Sequence, residues 1–163
     1  MATDFIPALR FAALTPWYDR TVAWSTREAD MKNRVVALAA PRPGERVLDL
    51  GCGTGTLLLA LANAEPSATL TGIDADQTIL ALAAAKIEAA GAQARLLPGW
   101  SDALPLPDAR FDLAVSTLFF HHLQPHAKHR ALQELRRVLR PGGRLVIADF
   151  GRAKAGWRRG LFH

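Results

Sequence analysis

The sequence has a single cysteine, Cys52, among its 163 residues. One cysteine cannot close an internal disulfide, which excludes a disulfide-stapled fold. The sequence also lacks a run of the ~18 consecutive apolar residues that a membrane-spanning helix needs. Its first residues, MATDFIPALRFAAL, lack the basic start and long apolar centre of a secretory signal. We therefore expect a cytoplasmic protein without a membrane span.

Acidic residues are scarce in the last quarter of the chain. Residues 1–126 hold 10 Lys/Arg and 13 Asp/Glu, whereas residues 127–163 hold 10 and 2, and the net charge is +5. A basic end can bind nucleic acid, but these charges lie between apolar residues in a helical pattern, without interleaved aromatic residues. A solvated basic face is the simpler interpretation, so a nucleic-acid partner is not expected.

Short apolar strands alternate with helical patterns along a chain whose length indicates one domain, 1–163. The patterns predict strands at 46–50, 68–73, 95–97, 111–116 and 144–150, and helices at 25–40, 55–64, 76–91 and 125–140. Strands that are nearly all apolar predict an α/β fold with a doubly wound, mostly parallel sheet and helices on both faces. Ligands of such sheets bind at the carboxyl ends of the strands, where the strand order reverses.

A glycine-rich turn, DLGCGTGT at 49–56, follows the first predicted strand. A dinucleotide fingerprint needs glycine at its first, third and sixth places, where this turn has Gly51, Gly53 and Thr56. Glycines without Cβ atoms also allow the close backbone approach that S-adenosylmethionine, which has no phosphate, requires. Asp49 could then face the ammonium group of that ligand, directly or through water. A purely structural glycine turn is the alternative.

Asp74 ends the second predicted strand, 21 residues beyond Gly53. A carboxylate at this place can accept hydrogen bonds from both ribose hydroxyls, in nicotinamide and in adenosylmethionine sites alike. The other interpretation is a helix N-cap, but Asp76 fits that role better. Asp74 therefore predicts an adenosine ligand without choosing between the two cofactors.

Five segments in this order resemble the class I S-adenosylmethionine-dependent methyltransferases: the glycine turn, GID at 72–74, PDARFD at 107–112, LFFHHL at 118–123 and LRPGGRLVIADF at 139–150. The resemblance is strongest to the branch related to the quinone-biosynthesis C-methyltransferases and runs from about Tyr18 to Phe150. It implies methyl transfer by in-line displacement to a small, aromatic or hydrophobic acceptor. It also implies cofactor contacts at Tyr18 over the amino-acid end, Gly51, Gly53 and Thr54 in the turn, Asp74 at the ribose, Trp100 and Ser101 at the adenine, and Thr117 near the sulfonium.

Trp100 departs from the family pattern, which has an acidic or amide residue at this place. The indole nitrogen is a donor only, so it cannot accept a hydrogen bond from the adenine amino group, and stacking on the base is the expected contact. Asp102 either supplies the missing acceptor or is a solvated turn residue.

Two adjacent histidines, His121 and His122, follow the fourth predicted strand. An imidazole there could take a phenolic or enolic proton near neutral pH, which makes His121 a candidate catalytic residue. The alternative is that one ring packs inward and the other faces solvent. Neither has the spaced partners of a metal site, so no metal is expected. Cys52 is interpreted as a small loop residue rather than a nucleophile.

The family normally continues past its fifth strand, whereas here only GRAKAGWRRGLFH follows Phe150. The strand at 144–150 would then be an open edge, covered in a homodimer or belonging to a shortened form of a longer protein. We expect a helical lid at 1–40, a cofactor-binding core at 41–150 and a basic tail at 151–163. The alternatives to a methyltransferase are a protein that binds the cofactor without catalysis and a nicotinamide-dependent oxidoreductase.

Overall fold

The structure is a computed structural model that describes residues 28–150. Helices and strands alternate through most of this part of the chain. The helices are α1 (Glu28–Ala39), α2 (Thr56–Ala64), α3 (Gln77–Ala89) and α4 (Pro125–Val138), with a short 3₁₀ helix at Phe120–His122. The strands are β1 (Arg46–Leu50), β2 (Thr69–Asp74), β3 (Arg95–Pro98), β4 (Phe111–Thr117) and β5 (Leu139–Ala148).

The five strands form one sheet in the order β3-β2-β1-β4-β5, and all four pairings are parallel. The chain moves outward from β1 to β3 and then returns to the other side of β1 with β4. The strand order therefore reverses between β1 and β4, which is where such sheets bind ligands. The predicted doubly wound α/β fold is confirmed.

Helices cover both faces of the sheet, as the apolar strands require. On one face α1, α2 and α3 bury a cluster that includes Val35, Val47, Leu61 and Leu80. On the other face α4 and the loop before β4 bury a second cluster, with Leu48, Leu50, Phe111 and Leu135 among its members. Because successive strand residues point to opposite faces, Asp49 of β1 lies on the same face as α1.

Helix α1 is a layer of the fold, since Val35 and Ala39 are buried against the sheet. The described part of the segment 1–40 is this helix with Ala40 after it, and the lid role of the segment stays a prediction. The signals around α3 are borne out: Asp76 Oδ1 accepts hydrogen bonds from the amides of Thr78 and Ile79 at 2.8 and 3.3 Å, and Gly91 has a φ of +65°. These two residues fix where α3 begins and where the chain leaves it.

Strand β5 begins earlier than the sequence predicts, because Leu139 already pairs with Phe111. The pairing is interrupted around Pro141 and Gly142, whose φ is +78°, and it resumes with Arg144 opposite Leu113. Asp149, predicted as part of the strand, lies just beyond its end. Strand β5 is an edge of the sheet.

None of the helices within residues 28–150 combines the length and the apolar character needed to cross a membrane.

Candidate functional site

A cavity of about 370 Å³ opens at the carboxyl ends of β1 and β2, beside the loop that follows β4. This volume lies in the range of pockets that hold drug-sized ligands, roughly 300–1,000 Å³. The walls come from four segments of the chain: Leu50 and Gly51; Ile73, Asp74 and Ala75; Gly99 to Ala103; and Phe119 with residues 122–124, 126, 127 and 130. The cavity therefore lies at the reversal of strand order.

Gly51 turns the chain out of β1 at the cavity wall, with a φ of +73°. Its amide and that of Cys52 donate to the carbonyl of Ile73 at 2.8 and 3.0 Å, which ties the turn to β2. A Cβ at Gly51 would lie 2.5 Å from the ring of Phe119. Both the left-handed conformation and this lack of space require glycine here.

Asp74 lies at the end of β2, with its carboxylate fixed by two backbone amides. Its Oδ2 accepts a hydrogen bond from the amide of Gly53 at 3.0 Å, and its Oδ1 accepts one from the amide of Asp76 at 3.1 Å. Burial raises the pKa of this carboxyl, and the amide hydrogen bonds oppose that shift. Each carboxylate oxygen can accept a further hydrogen bond, so the group can still bind a diol in the cavity.

Asp49 is fully buried, and neither of its carboxylate oxygens has a hydrogen-bond partner within residues 28–150. Burial raises its pKa to about 7; the positive charge of Lys32 on α1 opposes this shift, and the negative charge of Asp74 adds to it. A buried carboxylate without hydrogen bonds is costly unless a cation or a donor reaches it. The group therefore fits a ligand that brings positive charge to the glycine turn.

These two carboxylates allow a test of the cofactor that the resemblance implies. A pyrophosphate beside Asp49 and Asp74 would meet two like charges, whereas a nucleoside with an ammonium and a sulfonium group meets two opposite ones. Asp74, the predicted ribose-binding acid, lines the cavity, Gly51 leaves no Cβ at its wall, and the buried carboxylate of Asp49 has no hydrogen-bond partner among the described residues. The residues present thus fit S-adenosylmethionine better than a dinucleotide.

Trp100, Ser101 and Asp102 also line the cavity, at the end farthest from β4. Trp100 is 43% exposed, so its ring is accessible to a ligand. Asp102 binds Arg130 of α4, with Nε and Nη2 at 3.0 and 2.9 Å from its Oδ2. Asp102 is therefore held in place by another residue of the cavity wall, and its role as an adenine acceptor stays a prediction.

The remaining predicted cofactor contacts lie away from the cavity walls or outside the described residues. The Thr54 hydroxyl receives a hydrogen bond from Lys86 Nζ at 3.0 Å, which joins the glycine turn to α3. Thr117 is the last residue of β4 and is half-buried. Tyr18 lies outside residues 28–150. The cofactor roles of these three residues stay predictions, as does that of Gly53 beside Asp74.

The two histidines lie in the 3₁₀ helix after β4, and they occupy different places. His122 lines the cavity, and burial lowers its pKa. His121 instead binds Asp149, the residue after β5, with Nδ1 2.8 Å from Oδ1 and its amide 2.9 Å from Oδ2. A catalytic role of His121 stays a prediction.

Sequence reasoning missed four residues around this site: Phe119, His126, Arg130 and Asp149. The strand-end rule could have found Asp149, because an acid directly after an apolar strand is the same signal that identified Asp74. His126 and Arg130 are four residues apart on α4 and share a face, but nothing in the sequence says that this face meets the loop after β3, where Arg130 binds Asp102. Within the described part of the chain, no group of three or more metal-ligating side chains could hold an ion.

Cys52 is buried beside the turn, and burial raises the pKa of its thiol. The thiolate is the nucleophilic form, so this environment agrees with a packing role for Cys52.

Comparison with known proteins identifies the family of this chain. Residues 47–143 match the family model described as a methyltransferase domain. The chain is 39% identical over 142 residues to a demethylmenaquinone methyltransferase of Thermus thermophilus, an alignment that covers 86% of this chain and 64% of the relative. It is 38% identical over 118 residues to a ubiquinone/menaquinone biosynthesis C-methyltransferase of Bordetella avium, covering 72% of this chain and 45% of the relative. The chain thus spans about half to two thirds of the length of these relatives.

Several solved structures share the fold at more than 25% identity. A SAM-dependent methyltransferase from Aquifex aeolicus aligns with a TM-score of 0.68 and 26% identity, covering 76% of this chain and 65% of that one. The [4+2]-cyclase SpnF aligns with a TM-score of 0.72 and 30% identity, covering 80% and 48%. The family model spans the glycine turn, both acids and the loops around the cavity, so this chain belongs to the methyltransferase domain family.

Proposed function

We propose that this chain is the catalytic core of an S-adenosylmethionine-dependent methyltransferase, which transfers a methyl group to a small aromatic or hydrophobic acceptor. The observation that carries the proposal is a pair of acids at one glycine turn: the buried Asp49, which has no hydrogen-bond partner among the described residues, and the half-buried Asp74 on the cavity wall. Negative charge at this place selects a cationic nucleoside over a phosphorylated one. The methyltransferase names of two relatives support the same activity.

We assign the binding roles from the positions of the residues around the cavity. Asp74 receives the ribose hydroxyls, Trp100 stacks on the base, Ser101 closes the adenine end, and Asp49 balances the ammonium charge beneath Gly51. The cofactor supplies an electrophilic methyl group, so the protein mainly has to align an acceptor with it. Positioning of this kind can lower the activation barrier by roughly 7–11 kcal/mol. A general base contributes less, an acceleration of about 10²- to 10⁴-fold.

In this proposal the acceptor enters from the β4–β5 side, because the adenine of the cofactor occupies the β3 side of the cavity. Apolar and aromatic surface between the adenine end of the cavity and its β4–β5 side comes from Phe119, His122 and Leu123. A flat, hydrophobic acceptor suits such walls. The names of two relatives, which refer to quinone biosynthesis, support an aromatic acceptor.

Isothermal titration calorimetry with S-adenosylmethionine, S-adenosylhomocysteine and NAD tests the cofactor, and product analysis with phenols, quinols, amines and thiols tests the transfer. Binding of the first two ligands with transfer to at least one acceptor is expected. Preference for NAD, or the absence of any binding, would contradict the proposal.

A second candidate is a protein that binds the cofactor without transferring its methyl group. One observation favours it: a structural neighbour at 30% identity is named a [4+2]-cyclase, so proteins of this fold are not all named for methyl transfer. Tight cofactor binding without product from any acceptor in the panel would favour this candidate. In both cases the organisation we propose is a lid at 1–40, a core at 41–150 and a basic tail at 151–163.

We also propose that the open edge of β5 pairs with a second copy of the chain. Leu145 and Ile147 on this strand are 40% and 39% exposed, and an unpaired apolar edge strand is a surface on which another strand can pair. Sedimentation should give the mass of a dimer, and Ile147→Lys should give a monomer. A monomeric wild type would contradict this, and would fit an edge that a further segment of a longer protein covers.

The proposed location is the cytoplasm. The single cysteine is buried and unpaired, so the fold requires no oxidising compartment.

A further inference from the structure

Asp149 and His121 form a pair at the carboxyl ends of β4 and β5, outside the cavity wall. Three donors converge on the Asp149 carboxylate: the His121 amide at 2.9 Å, His121 Nδ1 at 2.8 Å and the Phe150 amide at 2.7 Å. One carboxylate thus holds both the backbone and the ring of the same histidine. The ring is fixed relative to two neighbouring strand ends.

The contact with Asp149 decides which ring nitrogen of His121 carries the proton. An ionised carboxylate only accepts hydrogen bonds, so a nitrogen 2.8 Å away must be the donor. The neutral ring is therefore protonated on Nδ1, and Nε2 has a free lone pair. A histidine held in this way by a carboxylate is the arrangement of a general base.

The surroundings of His121 connect it to the cavity. The centroid of its ring is 3.9 Å from that of His122, which lines the cavity, and 5.0 Å from that of Phe150. Among the residues described, the titratable groups in contact with His121 are Asp149 from the β5 side and His122 from its own 3₁₀ helix. Burial, with the neighbouring His121 as the second cause, lowers the pKa of His122. Within the described residues, Asp149 is the acid in contact with the His121 ring.

We propose that Asp149 is a positioning residue that holds the neutral ring of His121 in the tautomer protonated on Nδ1, and that the free Nε2 of this ring takes the hydroxyl proton of a phenol or enol acceptor. The inference rests on the proposed function and narrows its acceptor class. Nε2 gains the proton, the freed electron pair of the acceptor oxygen or of its conjugated carbon forms the bond to the methyl carbon, and the electrons of the broken carbon–sulfur bond remain on sulfur. A base of this kind adds about 10²- to 10⁴-fold in rate.

The tautomer can be measured without catalysis, by long-range ¹H–¹⁵N correlation spectra of histidine-labelled protein at a pH where histidines are neutral. Wild type should show His121 protonated on Nδ1. Asp149→Asn should move it towards the Nε2-protonated form, because an amide NH₂ can donate to Nδ1. Asp108→Asn, an exposed acid bound to Arg137, is the matched control and should leave His121 unchanged. Wild type protonated on Nε2, or no change in Asp149→Asn, would overturn the positioning role.

Proton transfer can be measured with 4-nitrophenol as the probe, in protein saturated with S-adenosylhomocysteine. The yellow phenolate band should appear on binding to wild type and fall at least tenfold in His121→Ala and Asp149→Asn. His129→Ala, which removes an exposed histidine of α4, should leave the band unchanged. Equal bands in wild type and His121→Ala, including none in either, would overturn the base, as would loss of the band in His122→Ala alone.

Turnover separates this inference from the proposed function. In His121→Ala, kcat for a phenolic acceptor should fall about 100-fold, while KM and the calorimetric affinity for S-adenosylmethionine stay at wild-type values. If wild type binds no S-adenosylmethionine, the proposed function fails, whatever the tautomer of His121. If the cofactor binds and kcat is unchanged in His121→Ala, only the inference fails.

Discussion

The carboxyl edge of the sheet has two regions that prepare for ligands in different ways. On the β1–β2–β3 side, backbone amides hold Asp74, a glycine turn approaches the cavity, and Asp49 is buried without a hydrogen-bond partner among the described residues. On the β4–β5 side the polar groups are side chains, His121 and Asp149, at an exposed strand end. The first region is built into the fold, whereas the second depends on a few side chains. We therefore expect the first to set the cofactor and the second to set the acceptor.

The largest loss of affinity is expected for Gly51→Ala, which alters the first region where the packing is tightest. The alanine would have to keep a φ of +73°, and its Cβ would lie 2.5 Å from the ring of Phe119. The affinity for S-adenosylmethionine, measured by calorimetry, should therefore fall more than about 100-fold. Gly44→Ala is a matched control, with a φ of +74° and no atom within 4 Å of the new Cβ. It should cost about 1–2 kcal/mol of stability and no affinity. Wild-type affinity in Gly51→Ala would show that the turn does not meet the ligand.

The next effect removes the ribose contact through Asp74→Asn. Hydrogen bonds to a charged group are worth about 1.5–3 kcal/mol, so the affinity should fall about 10- to 100-fold. Asp76→Asn is the control, because asparagine and aspartate cap a helix equally well. Calorimetry should find Asp76→Asn indistinguishable from wild type. Equal losses in the two variants would indicate a general disturbance of the loop instead of a ribose contact.

A pH effect should follow from Asp49, whose pKa burial raises to about 7. Between the unfolded value near 4 and about 7, the folded state holds a proton that the unfolded state has released, so this group lowers stability as pH rises through that window. A cationic ligand needs the ionised form. Affinity for S-adenosylmethionine should therefore rise up to about tenfold per pH unit below pH 7 and then level off.

Titrations in buffers of different ionisation enthalpy should show up to one proton released on binding at about pH 6. Asp49→Asn should abolish this release and flatten the pH dependence. Proton release that persists in Asp49→Asn would assign it to another group, and a pH-independent affinity in wild type would contradict the ion pairing.

The smallest loss of affinity is expected at Trp100, at the exposed end of the cavity, where it tests how far the first region extends. Stacking on a base is worth about 1–3 kcal/mol, and partial exposure places this contact at the low end, so Trp100→Ala should weaken binding about fivefold. Trp100→Phe should keep most of the affinity. Calorimetry that finds Trp100→Ala unchanged would remove the stacking contact.

The sequence predicted the fold well because its signals are local. Apolar strands, the cap at Asp76 and the stop at Gly91 each act within a few residues, and the structure bears them out. The start of β5 was wrong because Leu139 pairs with Phe111, a contact that helical periodicity does not reveal. Strand and helix order placed the candidate site at the edge of the sheet where the cavity opens.

The sequence predicted the candidate site only where a residue's place follows from its strand. Asp74 is a strand-end acid and lies on the cavity wall as expected. The partners of Asp102 and His121 could not be predicted, because Arg130 and Asp149 are each 28 residues away and reach them through tertiary packing. The sequence could not reveal that Asp49 has no hydrogen-bond partner among the described residues, because this depends on which side chains α1 brings to β1.

A crystal structure with S-adenosylhomocysteine tests the central claim most directly. The account predicts the ribose hydroxyls on the Asp74 carboxylate, the base beside Trp100 and the amino group close to Asp49. Density for the ligand elsewhere on the protein, or its adenosine outside the cavity between Gly51 and Trp100, would contradict the account.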